Sequence, residues 1–216
     1  MARLPSVTRR VEVTTWSNFP AVPGEIGVPF FAERVAQMNV IDTILQRNET
    51  FSKTDFNKDL KIVPSTKTMI IACVDSRVDP ADIFGLKPGD AVVIRNVGGR
   101  VDPATLRTMG MLGAVTKASG GVLGTGWNLI VLHHTDCGIK PCLTHAPEML
   151  ATHLGVEPGS IDAGEINDPY KSIVSDVAAL KANPKFPGGF LVTGIVYDVD
   201  TGKAEVVVPS ALLRPE

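Results

Sequence analysis

Cys73, Asp75 and Arg77 alternate along the stretch ACVDSRVDP, where an apolar run gives out. Side chains two apart on an extended chain leave on the same face, so a thiol, a carboxylate and a guanidinium would converge at one strand tip. Such a trio can hold a metal ion and orient a reactant beside it. It can equally be a core cysteine followed by a surface ion pair, since free cysteine is among the most buried residue types. A second fragment, HHTDCG from His133 to Gly138, ends another apolar run. There His134 and Cys137 stand three apart, a spacing at which an imidazole and a thiolate can grip one cation. By itself the H-x-x-C spacing is common in unrelated chains.

Whether the two fragments meet depends on the elements that carry them. Apolar, β-branched runs over Thr68–Val74, Asp90–Asn96, Asn128–His134 and Gly189–Val199 read as strands, the first of them buried on both faces. Asp102 followed by Pro103 is an N-cap and a first-turn proline, predicting a helix to about Lys117; Asp168 and Pro169 repeat the device ahead of Ile173, Val177 and Leu180. Pro29 to Gln46 carries Phe31, Val35, Met38, Ile41 and Leu45 at helical spacing, and residues 1–28, punctuated by proline and glycine, read as an N-terminal arm. The stretch DVDTGKAEVVV predicts a hairpin turning at Thr201 and Gly202, with Ala204–Val208 as an antiparallel edge strand. Strands alternating with helical crossovers predict a single α/β domain over residues 1–216, its mostly parallel central sheet flanked by helices. The helix from Pro103 is apolar on more than one side and contains Gly110 and Gly113, which predicts burial against its own chain or against a second subunit.

In an open parallel sheet, ligands gather beyond the carboxyl ends of the strands where strand order reverses, and the order 2-1-3-4 puts that switch between strands one and three. Cys73 ends strand one and His134 ends strand three. With that order they become neighbours, with Cys137 beside them. Two thiolates and one imidazole suit zinc, and three protein ligands leave a fourth position open, whereas a structural zinc site is closed by four. Zinc lowers the pKa of a bound water to about 7. Asp75 would accept a hydrogen bond from the resulting hydroxide, and Arg77 would hold Asp75 ionised through a two-pronged pair. Released by Arg77, Asp75 could instead close the metal as a fourth ligand.

Composition narrows the function classes. A formal net charge of -2 offers no basic surface for nucleic acid. The longest apolar runs fall far below the roughly 18–20 residues of a membrane span. Three scattered cysteines, none in a C-x-x-C pair, argue against a disulfide framework and against thiol redox chemistry, and favour a reducing compartment. The N-terminus has Arg3, Arg9 and Arg10 but lacks the apolar core of a secretory signal, so a cytoplasmic location is expected, with a mitochondrial presequence the weaker alternative.

Four motifs together resemble β-class carbonic anhydrases: Cys73-x-Asp75-Ser76-Arg77, IRNVGG from Ile94 to Gly99, His134-x-x-Cys137-Gly138, and GIVYDVDTG from Gly194 to Gly202. The resemblance implies that family's fold, a Zn2+ ion held by Cys73, His134 and Cys137, and an Asp75–Arg77 pair controlling the fourth position. It implies attack of zinc-bound hydroxide on CO2 to give bicarbonate, in a homodimer or homotetramer. It also implies a substrate pocket bordered by Asn96, Gly98, Gly99 and Gly138. His133 stands where the family often has glycine. That variant resembles a branch that includes carbonyl sulfide hydrolases, which convert COS and water to hydrogen sulfide and CO2 with the same nucleophile. A relative that keeps zinc without turnover is the remaining alternative, and an intact Asp75 and Arg77 speak against it. Alternation turns His133 away from His134, which predicts a core or interface histidine rather than a proton shuttle. Cys142, His145 and His153 fall in a stretch from Ile139 to Tyr170 read as irregular or partly helical, and are assigned to packing and solvent contact, as Trp127 and Tyr197 are to packing. Cys142 would ligate only in place of Cys73.

Overall fold

A helix of 25 residues, α1 (Phe30–Thr54), opens the part of the chain that the computed structural model describes, residues 30–184 and 186–214, with side chains described from Asn39 onward. Pro29 and the arm expected over residues 1–28 lie outside the described residues. The apolar spacing predicts an end near Gln46. The helix runs eight residues further because nothing in RNETFSKT breaks it, and Lys53 Nζ reaches back one turn to Glu49 Oε1 at 2.6 Å. Val40, Ile41, Ile44 and Leu45 are all more than half exposed. The described residues divide into two compact units between Asn57 and Lys58, where the sequence predicts one domain over 1–216, and α1 belongs to the first.

Among the described residues, the second unit holds every strand. In chain order it contains β1 (Thr68–Cys73), α2 (Pro80–Phe84), β2 (Ala91–Asn96), α3 (Pro103–Ala118) and β3 (Asn128–His134). Then come α4 (Cys142–His145), α5 (Pro147–Leu154), α6 (Ala163–Asn167), α7 (Pro169–Ala182), β4 (Leu191–Asp198) and β5 (Lys203–Leu212). The strands form one sheet in the order β2-β1-β3-β4-β5. Pairs β1·β2, β1·β3 and β3·β4 are parallel, and the hairpin partner β5 is antiparallel, as the apolar runs and the turn at Thr201 and Gly202 predict. β5 continues past the expected Val208 to Leu212, pairing there with Leu191.

Alternation divides the strand side chains between two layers. Met69, Ile71, Leu129 and Val131 pack with Met109 of α3 and with Ile173, Val177 and Leu180 of α7. Ile70, Ala72 and Leu132 face the other way, against Phe84 and Leu86. With β1 buried from Met69 to Cys73, both faces of the sheet are covered, which is why its central strand tolerates an unbroken apolar sequence.

Both aspartate–proline starts cap helices. The Asp102 carboxylate accepts from the Thr105 N–H at the head of α3, and the Asp168 carboxylate from the Tyr170 N–H at the head of α7. Within its own chain α3, expected to be buried there or against a second subunit, is only partly covered. Thr105, Met109 and Thr116 turn inward, while Met111 is 68% exposed and a side chain added at Gly110 would meet open space. Among the described residues no helix is long and apolar enough to cross a membrane.

After β2 the chain makes a single tight turn over Val97–Gly99 and leans on the ends of β1 and β3. Gly99 has φ +65°, and a Cβ there would stand 2.9 Å from the Cys73 nitrogen and 3.0 Å from the Leu132 oxygen. These are backbone atoms inside the sheet and cannot yield. Gly99→Ala is therefore expected to destabilise the fold by about 1–3 kcal/mol from the dihedral alone, and by more once the clash is added. Equilibrium denaturation of the purified variant measures the loss.

Candidate metal centre

Parallel pairing sets Ala72 opposite Leu132 and so brings the tips of β1 and β3 level. Cys73 is the last residue of β1, His134 the last of β3, and Cys137 lies in the turn that follows. Their donor atoms all fall within 4.8 Å of one another, with the two sulfurs 3.8 Å apart. Two thiolates on one tetrahedral zinc at ~2.3 Å would stand ~3.8 Å apart. The His134 Nδ1 lies 2.7 Å from the Thr135 carbonyl oxygen. A carbonyl only accepts, so Nδ1 carries the hydrogen and the lone pair falls on Nε2. That Nε2 is buried without a hydrogen-bond partner. A buried ring nitrogen left this way costs free energy unless it binds something. The donor set fits a soft divalent cation such as zinc.

The thiols are already poised for a cation. The Cys73 pKa is lowered to about 4, first by the hydrogen bond from Cys137 and against the upward push of burial. Backbone N–H groups of Asp75 at 3.5 Å and Gly98 at 3.3 Å add to the stabilisation of its sulfur. Cys137 moves up for the same reason, because it keeps the proton that the pair shares. Burial pulls His134 down, but the nearby Cys73 sulfur and its charge outweigh it and leave the pKa raised. A cation among the three would displace the shared proton.

Beside the sulfurs, the expected two-pronged pair is present. Arg77 Nε donates to Asp75 Oδ1 at 3.1 Å and Nη2 to Oδ2 at 2.8 Å, with the Arg77 backbone N–H on Oδ1 at 2.9 Å. The fork lowers the Asp75 pKa to about 2. Two further residues shape this corner and escape a reading of the sequence. Asp136, at φ +51°, takes Arg77 Nη1 on its carboxylate at 2.9 Å and Nη2 on its carbonyl at 3.0 Å, strapping the turn after β1 to the turn after β3. Arg95 of β2 donates to the carbonyls of Cys73 at 2.8 Å and Asp75 at 2.7 Å, and pairs with Asp79 at 2.6 Å. An arginine inside the apolar run AVVIRN is the available signal for the second.

A small cleft lined by Gly98, Arg100, His134, Cys137, Ile139 and Glu165 lies against two of the three donors. Of the four residues expected to border the pocket, Gly98 lines this cleft. Asn96 does not. Its side-chain amide donates to the Arg100 carbonyl at 2.7 Å and accepts from the Arg100 N–H at 2.8 Å, so it is committed to closing the turn. Gly99 lies under that turn against β1 and β3, and Gly138 is exposed beside Cys137. His133 is 2% exposed, buried as alternation predicts, and its side chain also forms part of the wall of this cleft. His153, expected to pack or meet solvent, instead pins the turn to α3 through the Val97 carbonyl at 2.8 Å and Asp102 at 3.2 Å. Cys142 packs half-buried beside Ile139, Leu150 and Ile166 and stands outside the group of three donors. His145 is exposed, Trp127 is buried, and Tyr197 packs against Ile70, Ala72 and Leu132. The stretch from Ile139 to Tyr170 proves substantially helical, containing α4, α5 and α6.

A family model described as carbonic anhydrase matches residues 68–156. The chain is 33% identical over 176 residues to β-carbonic anhydrase 1 of Mycobacterium tuberculosis, covering 80% of this chain and 100% of that protein. To a carbon disulfide hydrolase of Acidianus sp. it is 27% identical, covering 74% of this chain and 85% of the other. Among solved structures, a carbonic anhydrase from Streptococcus mutans aligns with a TM-score of 0.60 at 32% identity, over 77% of this chain and 96% of that one.

With the donors so arranged, Cys73→Ala or His134→Ala is expected to abolish stoichiometric zinc in the purified protein. Elemental analysis checks this, and zinc retained at the wild-type level would contradict the ligand set.

Proposed function

The chain belongs to the β-carbonic anhydrase family, and from that premise we propose that it hydrates CO2 to bicarbonate at a zinc ion held by Cys73, His134 and Cys137. The observation that carries this reading is the unpartnered, buried Nε2 of His134 facing two sulfurs 3.8 Å apart, beside a carboxylate that an arginine keeps ionised. Zinc, when bound, supplies a water acidic enough to act as a nucleophile near neutral pH. Asp75 is the group to orient that nucleophile. Its carboxylate, lowered to about 2, can only accept, so it would accept a hydrogen bond from the nucleophile and leave an oxygen lone pair free to face the carbon of CO2. Arg77 is a positioning residue, because its fork fixes the rotation of the Asp75 carboxylate while Asp136 holds the guanidinium in place.

Carbonyl sulfide hydrolysis is a second reading, in which the same nucleophile attacks the carbon of COS and sulfide leaves. It is favoured by His133 directly before His134 and by the likeness to the Acidianus carbon disulfide hydrolase. The exposed Met111 and Val115 on α3 support the further proposal that the working unit is a homodimer or homotetramer.

A side-by-side assay of the zinc-loaded protein, comparing kcat/KM for CO2 hydration with that for sulfide release from COS, is expected to favour CO2. The reverse ratio would establish the second reading. Asp75→Asn is expected to keep its zinc and lose about a hundredfold or more in turnover; unaltered turnover would remove the role assigned to that carboxylate.

A further inference from the structure

On the sheet face shared by Met69, Ile71, Leu129 and Val131 lies a buried cluster of charged and polar side chains that the proposed reaction does not use, and His133, Arg100 and Ser172 of this cluster also form one wall of the cleft beside His134 and Cys137. His133, Asp176 and Ser172 are each at most 5% exposed, and Arg100 is 7% exposed. Asp176, on α7, receives Arg100 Nε on Oδ2 at 2.9 Å and Arg100 Nη2 on Oδ1 at 2.9 Å. The same carboxylate also accepts the Val101 backbone N–H at 3.0 Å. His133 Nε2 stands 3.2 Å from Asp176 Oδ2 and 3.2 Å from the Gly99 carbonyl, while Nδ1 is 2.7 Å from Ser172 Oγ. Both partners of Nε2 only accept, so that nitrogen bears the hydrogen.

We infer that His133 is a positioning residue for the metal centre, clamped by Asp176 and Ser172 so that it holds the Gly98–Gly99 turn against Cys73 and fixes the end of β3 that carries His134. The inference rests on the reading of Cys73, His134 and Cys137 as zinc ligands. Its chain of contacts is short. One carboxylate from α7 grips residues 100 and 101, the His133 ring grips the Gly99 carbonyl, and in the same turn the Gly98 N–H, two peptide planes earlier, donates to Cys73 Sγ at 3.3 Å. The Ile139 side chain closes over the turn, since a Cβ on Gly98 would come within 2.6 Å of it. Slack in the clamp would therefore pass directly to the hydrogen bond on a ligand sulfur, and through the backbone to the neighbouring imidazole.

Stability alone does not account for such a cluster. A buried ion pair with a histidine on it is generally no more stabilising than apolar side chains of similar volume. What apolar packing cannot do is hold the Gly99 carbonyl and the Val101 N–H at fixed positions.

The test compares three variants with the wild type by zinc dissociation constant, from competition with a chelator, and by the visible spectrum after cobalt substitution, with thermal melting alongside. His133→Ala removes the clamp. Arg100→Met with Asp176→Leu removes both charges together, so no unpaired ion is left in the core while His133 and Val101 still lose their acceptor. Ser172→Ala deletes one hydroxyl and keeps the ion pair, which lets it carry the test if the others do not fold. His133→Ala and the double variant are expected to bind zinc about 10- to 100-fold more weakly, with altered sulfur-to-cobalt charge-transfer bands even where the melting temperature is preserved. Ser172→Ala is expected to weaken binding in the same direction by up to about tenfold. Wild-type affinity and an unchanged cobalt spectrum in the variants that fold would overturn the inference while leaving the zinc reading intact. A wild-type protein that takes up no zinc would overturn both.

Discussion

Parallel pairing of β1 with β3, in a register that sets Ala72 opposite Leu132, is the constraint on which the centre depends. The chain leaves β1 toward β2 on one side and returns to β3 on the other, so the tips of β1 and β3 flank a point where neither crossover covers them. A strand slipped by one residue would turn Cys73 to the opposite face and His134 into the core. The buried apolar faces of the two strands forbid that slip, because Met69 and Ile71 belong to one layer and Ile70 and Ala72 to the other. The packing energy of the sheet thus sets the distance between donors that lie far apart in the chain.

Around those tips, arginines perform the holding that a preformed metal site requires. Arg77 ties the turn after β1 to the turn after β3, Arg95 ties the β1 turn to β2, and Arg100 ties the β2 turn to α7. Each meets at least one carboxylate, so the corner gathers positive charge without leaving it unpaired. The guanidinium fork suits this task, since one side chain can satisfy a carboxylate and a backbone carbonyl together. Because these ties run through protein atoms, the donors converge before any cation arrives, and the ordering cost is met by folding.

What is legible in the sequence follows from how local the governing physics is. The Asp102–Pro103 and Asp168–Pro169 starts satisfy orphan N–H groups within one helical turn, so they announce α3 and α7 directly. The unbroken apolar run at Met69 announces a strand covered on both faces; the sheet order is not in the runs, but given the order 2-1-3-4 the meeting of Cys73 with His134 and Cys137 follows. The end of α1 is not legible because a Glu49–Lys53 pair extends a helix without any apolar signal. Asp136, Arg95 and the Arg100–Asp176–His133 cluster stay hidden, since each takes its meaning from a partner on another element and many arginines would look the same in the chain. Asn96 misleads for a related reason: an amide next to a motif looks available for a ligand until the turn that consumes it is seen.

The paired glycines of the IRNVGG stretch meet a structural need beside the one their place in the motif suggests. Small residues near a small substrate invite the idea that they make room for it. The protein itself also needs the room: Gly99 lies on the backbone of Cys73 and Leu132 with no space for a methyl group, and Gly98 passes beneath Ile139 with φ +84°. The consequence of that close approach is a backbone N–H on the Cys73 sulfur. Side-chain donors could reach the same sulfur, but only with rotamer freedom to lose and with protons of their own to titrate. A backbone amide held by two left-handed glycines has neither, so the hydrogen bond that stabilises the thiolate is fixed by the fold and does not change with pH.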